Sequence, residues 1–218
     1  SDLAHELRTP VSNLLTQTQV TLSRARSADE YRDILASNAE EFERLSRTIA
    51  DMLFLAKAEN NQLIPHPEPL ELADEVAELL EFYGVLAEEK EIRLSVVGHG
   101  TVSGDRLMLR RAISNLLSNA LRYTPVGGTV TVRIETQGDE AVKLTVENTG
   151  PCIAAEHLPR LFDRFYRTDS ARQRTTEGSG LGLAITRSIL IAHGGDVSVS
   201  SAEGITRFTL SLPVGGQL

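Results

Sequence analysis

Two asparagines and an arginine share one face of a predicted helix in the stretch NLLSNALRYTP, residues 115–125. Asn115, Asn119 and Arg122 are separated by steps of four and three, whereas the leucines between them point elsewhere. Amide oxygens suit Mg²⁺, which shares its coordination shell with phosphates, and an arginine can bind a phosphate oxygen. Because asparagine is a mediocre helix former, the pair indicates a binding role. The alternative is a solvated polar face.

A glycine-rich stretch, EGSGLGLA at residues 177–184, stands directly before another predicted helix. Glycines at alternate positions let backbone N–H groups approach a bound anion, and the helix N-terminus favours negative charge. The GxGxG spacing differs from both the dinucleotide fingerprint and the Walker loop. An ordinary tight loop before a helix remains the alternative.

A histidine lies near the start of the chain in the stretch LAHELRTP. His5 is predicted on the flank of a helix, with Glu6 as its neighbour and Thr9 one turn further along. An exposed imidazole beside a carboxylate can act as a nucleophile whose departing proton has an acceptor. The alternative is an exposed histidine without chemistry.

A strand-like alternation of apolar residues runs into the sequence NTGPC at residues 148–152. This corner is either a simple turn or the edge of a ligand site. Cys152 is the only cysteine, so it can form no internal disulfide, which fits a reducing compartment. With no Cys or His pair nearby, a metal site at Cys152 is not expected.

The elements that must position these residues fall into two modules. Residues 1–62 contain one proline and no glycine, whereas all 16 glycines and the other seven prolines follow. This asymmetry predicts a helical module followed by an α/β module. The capping-box spacing from Ser27 to Glu30 predicts the start of a second helix.

The second helix carries a heptad-like repeat, which predicts coiled-coil packing. Its positions are Leu35, Asn38, Phe42, Leu45, Ile49, Met52 and Ala56. A hairpin of this size cannot bury such a stripe alone, so we expect a homodimer that forms a four-helix bundle. The alternative is that the hairpin packs on the second module.

The second module is predicted to be an α+β, two-layer sandwich. A linker at 63–69 precedes helices at about 72–90, 105–123 and 180–193. The predicted strands are 91–97, 101–104, 129–137, 141–148, 195–201 and 205–212. We expect neighbouring strands to pair and the helices to cover one face.

Composition excludes several classes of function. The net charge of −8 gives a nucleic-acid partner no electrostatic support. No apolar run is long enough to span a membrane. The chain begins without Met on a helical pattern, so we interpret it as a piece of a longer protein.

Taken together, the motifs resemble those of sensor histidine kinases. The sequence HELRTP at residues 5–10 resembles the H box, and 115–125 resembles the N box. Residues 148–152, 162–167 and 178–183 resemble the G1, F and G2 boxes, in the order of the family. The stretches 12–23 and 51–65 further resemble the subgroup that senses copper, silver or related heavy metals.

The resemblance implies a division into a dimerisation and phosphoacceptor hairpin (1–62), a linker (63–69) and an ATP-binding domain of the Bergerat (GHKL) fold (70–218). ATP would phosphorylate His5, and a response regulator would take the phosphoryl group onto an aspartate. Glu6 would be the general base, and Thr9 would orient water for dephosphorylation of the regulator. Missing N-terminal segments would anchor the protein in a bacterial inner membrane, with this portion in the cytoplasm.

The resemblance also assigns roles in the ATP-binding domain. Asn119 would bind Mg²⁺ with support from Asn115, Arg122 would meet the phosphates, and Tyr123 would line the cleft. Residues 152–179 would form an ATP lid, from which Arg167 would reach the γ-phosphate. The remaining expected nucleotide contacts are Asn148, Gly150, Gly178, Gly180, Leu181 and Gly182.

Two positions depart from the family pattern. Asn148 replaces an aspartate that accepts from the adenine amino group, and loss of that charge-assisted bond costs about 1 kcal/mol. Cys152 replaces a glycine and removes its freedom at positive φ. These two changes favour one alternative, a nucleotide-binding module that has lost kinase activity and acts as a docking or phosphatase partner. A second alternative, a GHKL protein that hydrolyses ATP without phosphotransfer, is disfavoured by the H box and the heptad hairpin.

Overall fold

The structure is a computed structural model that describes residues 2–138, 140–168 and 179–214, with side chains from Leu7 onward. The chain divides into two compact units, residues 1–54 and 55–218, which are described separately below. Within the described residues, no helix is both long enough and apolar enough to cross a membrane.

The helical hairpin consists of α1, which spans Asp2–Leu22, and α2, which spans Ala28–Glu59 and whose last five residues belong to the second unit. The predicted capping box at the start of α2 is confirmed. The Ser27 backbone N–H donates to Glu30 Oε2 at 2.8 Å, and the Glu30 N–H donates to Ser27 Oγ at 3.2 Å. The Ser27 hydrogen bonds lower the pKa of Glu30.

The apolar stripe of the hairpin divides into two faces. On α2, Asn38 is buried, whereas Leu35 and Phe42 are 66% and 59% exposed. On α1, Leu14 is 6% exposed and Leu15 is 57% exposed. Each helix therefore has a buried position on one side and presents a set of apolar side chains to solvent.

The second unit adds three helices and seven strands in its described part. The helices are α3 (Leu72–Glu89), α4 (Arg106–Tyr123) and α5 (Gly182–Ala192), with a short 3₁₀ turn at Leu158–Arg160. The first four strands are β1 (Glu68–Glu71), β2 (Arg93–Gly98), β3 (Thr101–Gly104) and β4 (Thr129–Gln137). The other three are β5 (Ala141–Thr149), β6 (Asp196–Ala202) and β7 (Ile205–Pro213).

The main sheet has the order β2-β4-β5-β7-β6, with β2 and β4 parallel and the other pairs antiparallel. The expected pairing of neighbours is correct for β4–β5 and β6–β7. It is wrong for β2 and β3, because β3 pairs instead with β1 in a separate two-stranded sheet. Strand β1 is not among the predicted strands, and its Pro69 is tolerated in so short a ribbon.

The helices cover one face of the main sheet, as expected of a two-layer sandwich. Side chains of β4, β5 and β7 alternate between buried and more accessible positions. The apolar core between helices and sheet includes Ile113, Leu116, Leu117, Leu144, Ile185, Ile189 and Leu210.

A polar junction fixes the start of α4 against the end of α5. Asp105 Oδ1 accepts from the Met108 N–H at 3.0 Å, and Oδ2 accepts from the His66 N–H at 3.1 Å. The Asp105 N–H donates to Nε2 of the buried His193 at 2.9 Å, and His193 Nδ1 lies 2.8 Å from the Ile189 carbonyl oxygen. This arrangement requires a neutral imidazole that is protonated at Nδ1.

We expect Asp105→Ala to lower the free energy of unfolding at pH 7 by about 1–2 kcal/mol, because the helix cap is lost. Asp105→Asn retains an N-cap oxygen and serves as the matched control. Chemical denaturation of the three proteins tests this. An alanine variant as stable as wild type would contradict the capping role.

The same carboxyl should make stability depend on pH. Burial raises the pKa of Asp105, but the hydrogen bonds from Met108 and His66 outweigh it and hold the pKa below its usual value. The Asp105 contribution is therefore complete above the unfolded-state pKa and is lost as the pH falls through the lower folded-state pKa. The Asp105→Asn variant should lack this part of the acid dependence.

Candidate functional site

The asparagines of α4 have different surroundings. Asn115 Nδ2 donates to the Gly182 carbonyl oxygen at 3.0 Å, and the buried Thr186 hydroxyl donates to the same oxygen at 3.0 Å. Asn115 therefore joins α4 to the first turn of α5. The half-buried Asn119 side chain has no hydrogen bond to the described residues, so its amide oxygen is available to a ligand.

The end of α4 packs against the end of β5. The Gly150 N–H donates to the Gly204 carbonyl oxygen at 2.9 Å, and a Cβ on Gly150 would lie 2.9 Å from the Tyr123 carbonyl oxygen. Tyr123 is 44% exposed and Arg122 is half-buried. This close approach brings the NTGPC corner beside the α4 residues, as the predicted site requires.

Asn148 lies on the helix-covered face of β5 and is 6% exposed. Its Nδ2 donates to the Thr149 carbonyl oxygen at 3.2 Å, which leaves the amide oxygen as the acceptor. The register places Asn148 beside Thr206 of β7, a buried threonine whose Oγ1 lies 2.8 Å from Ser201 Oγ. Thr206 is not among the predicted site residues. The sequence does carry a signal for Thr206: it is a polar residue at a position of β7 where the alternating pattern places buried side chains.

The glycine loop meets α5 directly. Gly182 is the first residue of α5, and the side chain of Leu181 is fully buried, so Leu181 presents only backbone to a ligand. Gly180 has φ +69°. Gly178 lies outside the described residues.

Cys152 adapts to its position without strain. It is not among the described residues with positive φ, so this backbone does not require glycine. Its Sγ accepts from the Gly204 N–H at 3.1 Å, and the next residue, Ile153, donates its N–H to Ser201 Oγ at 2.9 Å. Cys152, which stands where the family pattern has a glycine, therefore has a side chain with a hydrogen-bond partner in Gly204.

The segment after the corner is anchored through aromatic side chains. Phe162 packs edge-to-face on Phe208, with ring centroids 6.3 Å apart. Tyr166 OH lies 2.7 Å from His157 Nδ1, and the Arg160 guanidinium stacks over the Tyr166 ring at 4.4 Å.

The arginines of this segment have different surroundings. Arg164 pairs with Glu59 at 2.7 Å, whereas Arg167 is half-buried. The predicted lid residues 169–178, including Arg172 and Arg174, lie outside the described residues.

The predicted phosphoacceptor region lies on α1 of the first unit. The backbones of His5 and Glu6 are helical, but their side chains lie outside those described. Thr9 is exposed on the same helix.

Comparison with known proteins decides the family. Residues 1–61 match the family described as "His Kinase A (phospho-acceptor) domain". Residues 104–216 match "Histidine kinase-, DNA gyrase B-, and HSP90-like ATPase". The chain belongs to the histidine kinase family. The predicted family and fold class are therefore confirmed, and the GHKL domain is one that binds ATP.

Several curated relatives resemble this histidine kinase core over nearly its whole length. It is 56% identical over 214 residues to the sensor histidine kinase CusS of Escherichia coli strain K12, covering 98% of this chain and 44% of that protein. It is 49% identical over 220 residues to the probable sensor kinase SilS of Salmonella typhimurium, covering 98% and 44%. The chain thus spans less than half the length of these relatives.

Solved structures support the fold. The Acinetobacter baumannii histidine kinase AdeS superimposes with a TM-score of 0.81 at 26% identity, covering 97% of this chain and 98% of that chain. Full-length ShkA, solved in complex with AMPPNP, has a TM-score of 0.76 at 25% identity and covers 99% of this chain and 45% of that chain.

We expect Asn148→Asp to destabilise the nucleotide-free protein by about 1–3 kcal/mol, since a buried carboxylate would lose the bond to Thr149. The same change should strengthen ATP binding about fivefold, because an ionised acceptor forms a stronger bond to the adenine amino group. Thermal unfolding with and without ATP measures both effects.

Asn148→Ala is the control, because it removes the acceptor and should weaken ATP binding. Equal ATP affinity in all three proteins would show that Asn148 does not contact the base.

Proposed function

We propose that this chain is the catalytic core of a sensor histidine kinase that phosphorylates its own His5 from ATP and passes the phosphoryl group to an aspartate of a response regulator. The hydrogen bond from Asn115 to the Gly182 carbonyl supports this most directly. It holds the N-box helix against the glycine loop, so the two predicted phosphate-binding elements lie together.

The residues present fit ATP with Mg²⁺. The amide of Asn119, which has no hydrogen bond to the described residues, provides an oxygen suited to Mg²⁺. Backbone N–H groups of Gly180 and Gly182 stand at the start of α5, where a phosphate is favoured. Asn148 offers its oxygen to the adenine amino group, and Tyr123 lines the cleft. When bound, Mg²⁺ would neutralise charge on the phosphates.

Phosphotransfer forms a bond from an imidazole nitrogen of His5 to the γ-phosphorus and breaks the bond from that phosphorus to the bridging oxygen, which leaves as ADP. Glu6 accepts the proton that the imidazole loses. Arg122 and Arg167 provide positive charge near the phosphates. In the phosphatase activity, Thr9 orients a water molecule for attack on the phosphoaspartate of the response regulator.

The hairpin is proposed to dimerise. The exposed apolar face of α1 and α2 is what a four-helix bundle would bury, since each hairpin needs a partner for its second face. The boundaries 1–62, 63–69 and 70–218 for the hairpin, linker and ATP-binding domain remain part of this proposal.

The physiological role is proposed from sequence resemblance. The motif flanks resemble copper- and silver-sensing kinases, so we propose a role in the response to these or other heavy metals. Because the relatives are more than twice as long, we propose that this portion is the cytoplasmic part of a bacterial inner-membrane protein.

The rival function is a nucleotide-binding module that has lost kinase activity. Asn148 and Cys152 suggested it, but Asn148 keeps an acceptor oxygen and Cys152 has no backbone strain. The second rival, ATP hydrolysis without phosphotransfer, does not explain the H box or the hairpin.

We expect His5→Gln to abolish incorporation of ³²P from γ-labelled ATP into the protein, because no other group is proposed as acceptor. His66→Gln is the matched control, since its side chain is exposed and only its backbone N–H is used. Acid-labile label on the His5 variant would show that another histidine is the acceptor. Normal ATP hydrolysis in both variants, without label in wild type, would favour the ATPase alternative.

We expect Thr9→Ala to autophosphorylate at the wild-type rate but to dephosphorylate the regulator about 10²-fold more slowly, because water would be poorly oriented. Thr16→Ala, at another exposed position of α1, is the control. The measurement follows loss of label from the regulator that the wild-type protein phosphorylates. Unchanged dephosphorylation would exclude Thr9 from this role.

A further inference from the structure

Two residues far apart in the sequence have left-handed backbones and lie in contact. Phe165 has φ +60° and Gly180 has φ +69°. The left-handed conformation is ordinary for glycine but is an outlier for a bulky aromatic residue. Such a conformation persists only where the surrounding structure holds it, and such residues cluster at active sites and ligand clamps.

The contact between them leaves no room for a side chain on Gly180. The Phe165 N–H donates to the Gly180 carbonyl oxygen at 3.0 Å. A Cβ on Gly180 would lie 2.9 Å from Phe165 Cα and 3.0 Å from its carbonyl carbon. These are backbone atoms, which cannot move aside as the end of a flexible side chain can. Glycine is therefore required at 180 by Phe165, independently of any ligand.

Each side of the contact leads to a predicted nucleotide-binding element. Arg167 lies two residues beyond Phe165. Two residues beyond Gly180, the Gly182 carbonyl accepts from Asn115 on the N-box helix. The buried Leu181 fixes the short connection between Gly180 and Gly182 in the core.

We propose that the Phe165–Gly180 backbone contact is a positioning element of the nucleotide site. It sets the place of the Gly180–Gly182 N–H groups relative to Arg167, so that Gly180 lacks a side chain because of Phe165 and not because a phosphate must approach its Cα. This inference rests on the proposed binding of ATP. Phe165 acts through the backbone, and its ring need not touch the nucleotide.

The first test compares Gly180→Ala with Gly127→Ala. Gly127 has φ +78° but no atom within 4 Å of an added Cβ, so its variant carries backbone strain without a clash. Without nucleotide, we expect Gly180→Ala to have a lower melting temperature than Gly127→Ala. We also expect Gly180→Ala to bind ATP about tenfold more weakly than wild type, which corresponds to about 1.4 kcal/mol. Gly127→Ala should bind ATP as wild type does.

Two results of this test would overturn the proposal. One is unchanged ATP affinity in Gly180→Ala. The other is weak ATP binding with a nucleotide-free melting temperature equal to that of Gly127→Ala, which would mean that the added methyl group blocks the phosphate directly.

The second test compares Phe165→Asn with Phe165→Val, both of which remove the ring. Asparagine tolerates a left-handed backbone, whereas a β-branched residue does not. We expect Phe165→Val to weaken ATP binding about tenfold more than Phe165→Asn, for about 1.4 kcal/mol of backbone strain. The loss should be larger for ATP than for ADP, because displacement of Arg167 affects the γ-phosphate.

Equal affinities in the two Phe165 variants, or equal losses for ATP and ADP, would overturn the backbone role. The outcomes separate this inference from the proposed function. Failure of the wild-type protein to bind ATP would refute both. Tight binding by wild type and by every variant would refute only the inference.

Discussion

The hydrogen bonds that hold α4 against α5 are the constraint on which the rest of the proposed nucleotide site depends. Near one end, Asn115 of α4 donates to the carbonyl oxygen of Gly182, the first residue of α5. At the other end, the Asp105 N–H donates to the neutral ring of His193. A buried polar group is costly to leave unpaired, so these links favour one register of the two helices over others that the apolar contacts alone would permit. The face of α4 that carries Asn119 is thereby set beside the glycine loop.

The arginines of this acidic protein include some that stabilise the scaffold and others that are proposed to meet phosphate. Glu75 is buried between α3 and α4, where it pairs with Arg106 at 3.1 Å and Arg110 at 2.9 Å. Removal of one partner from such a group would leave an uncompensated buried charge, so these arginines belong to the scaffold. The two arginines that are proposed to meet phosphate lie elsewhere. Arg122 is in the last turn of α4, and Arg167 lies two residues after Phe165. Counting arginines near a motif therefore does not locate a phosphate site.

The elements were largely predictable because their signals are local. The capping box, the alternating apolar positions of β4 and β5, and the glycines before α5 each act within a few residues of the chain. Sheet order was not predictable in the same way. Strand β1 has only four residues, one of which is Pro69, and Pro67 directly precedes it, so no periodicity marks it. The parallel pairing of β2 with β4 depends on how α4 crosses the sheet, which local pattern does not encode.

The sequence by itself determined the family and the fold class, because ordered motifs and periodicity are properties of the chain. Only the tertiary structure decided what several residues do. The backbone of Phe165 requires glycine at position 180. The hydrogen bond to the Thr149 carbonyl oxygen orients the Asn148 amide, and the buried Thr206 lies opposite Asn148 on the adjacent strand. The contacts of Gly180 and Thr206 join residues distant in sequence, and the orientation of Asn148 depends on atomic geometry. Residue type and spacing specify neither these contacts nor that orientation.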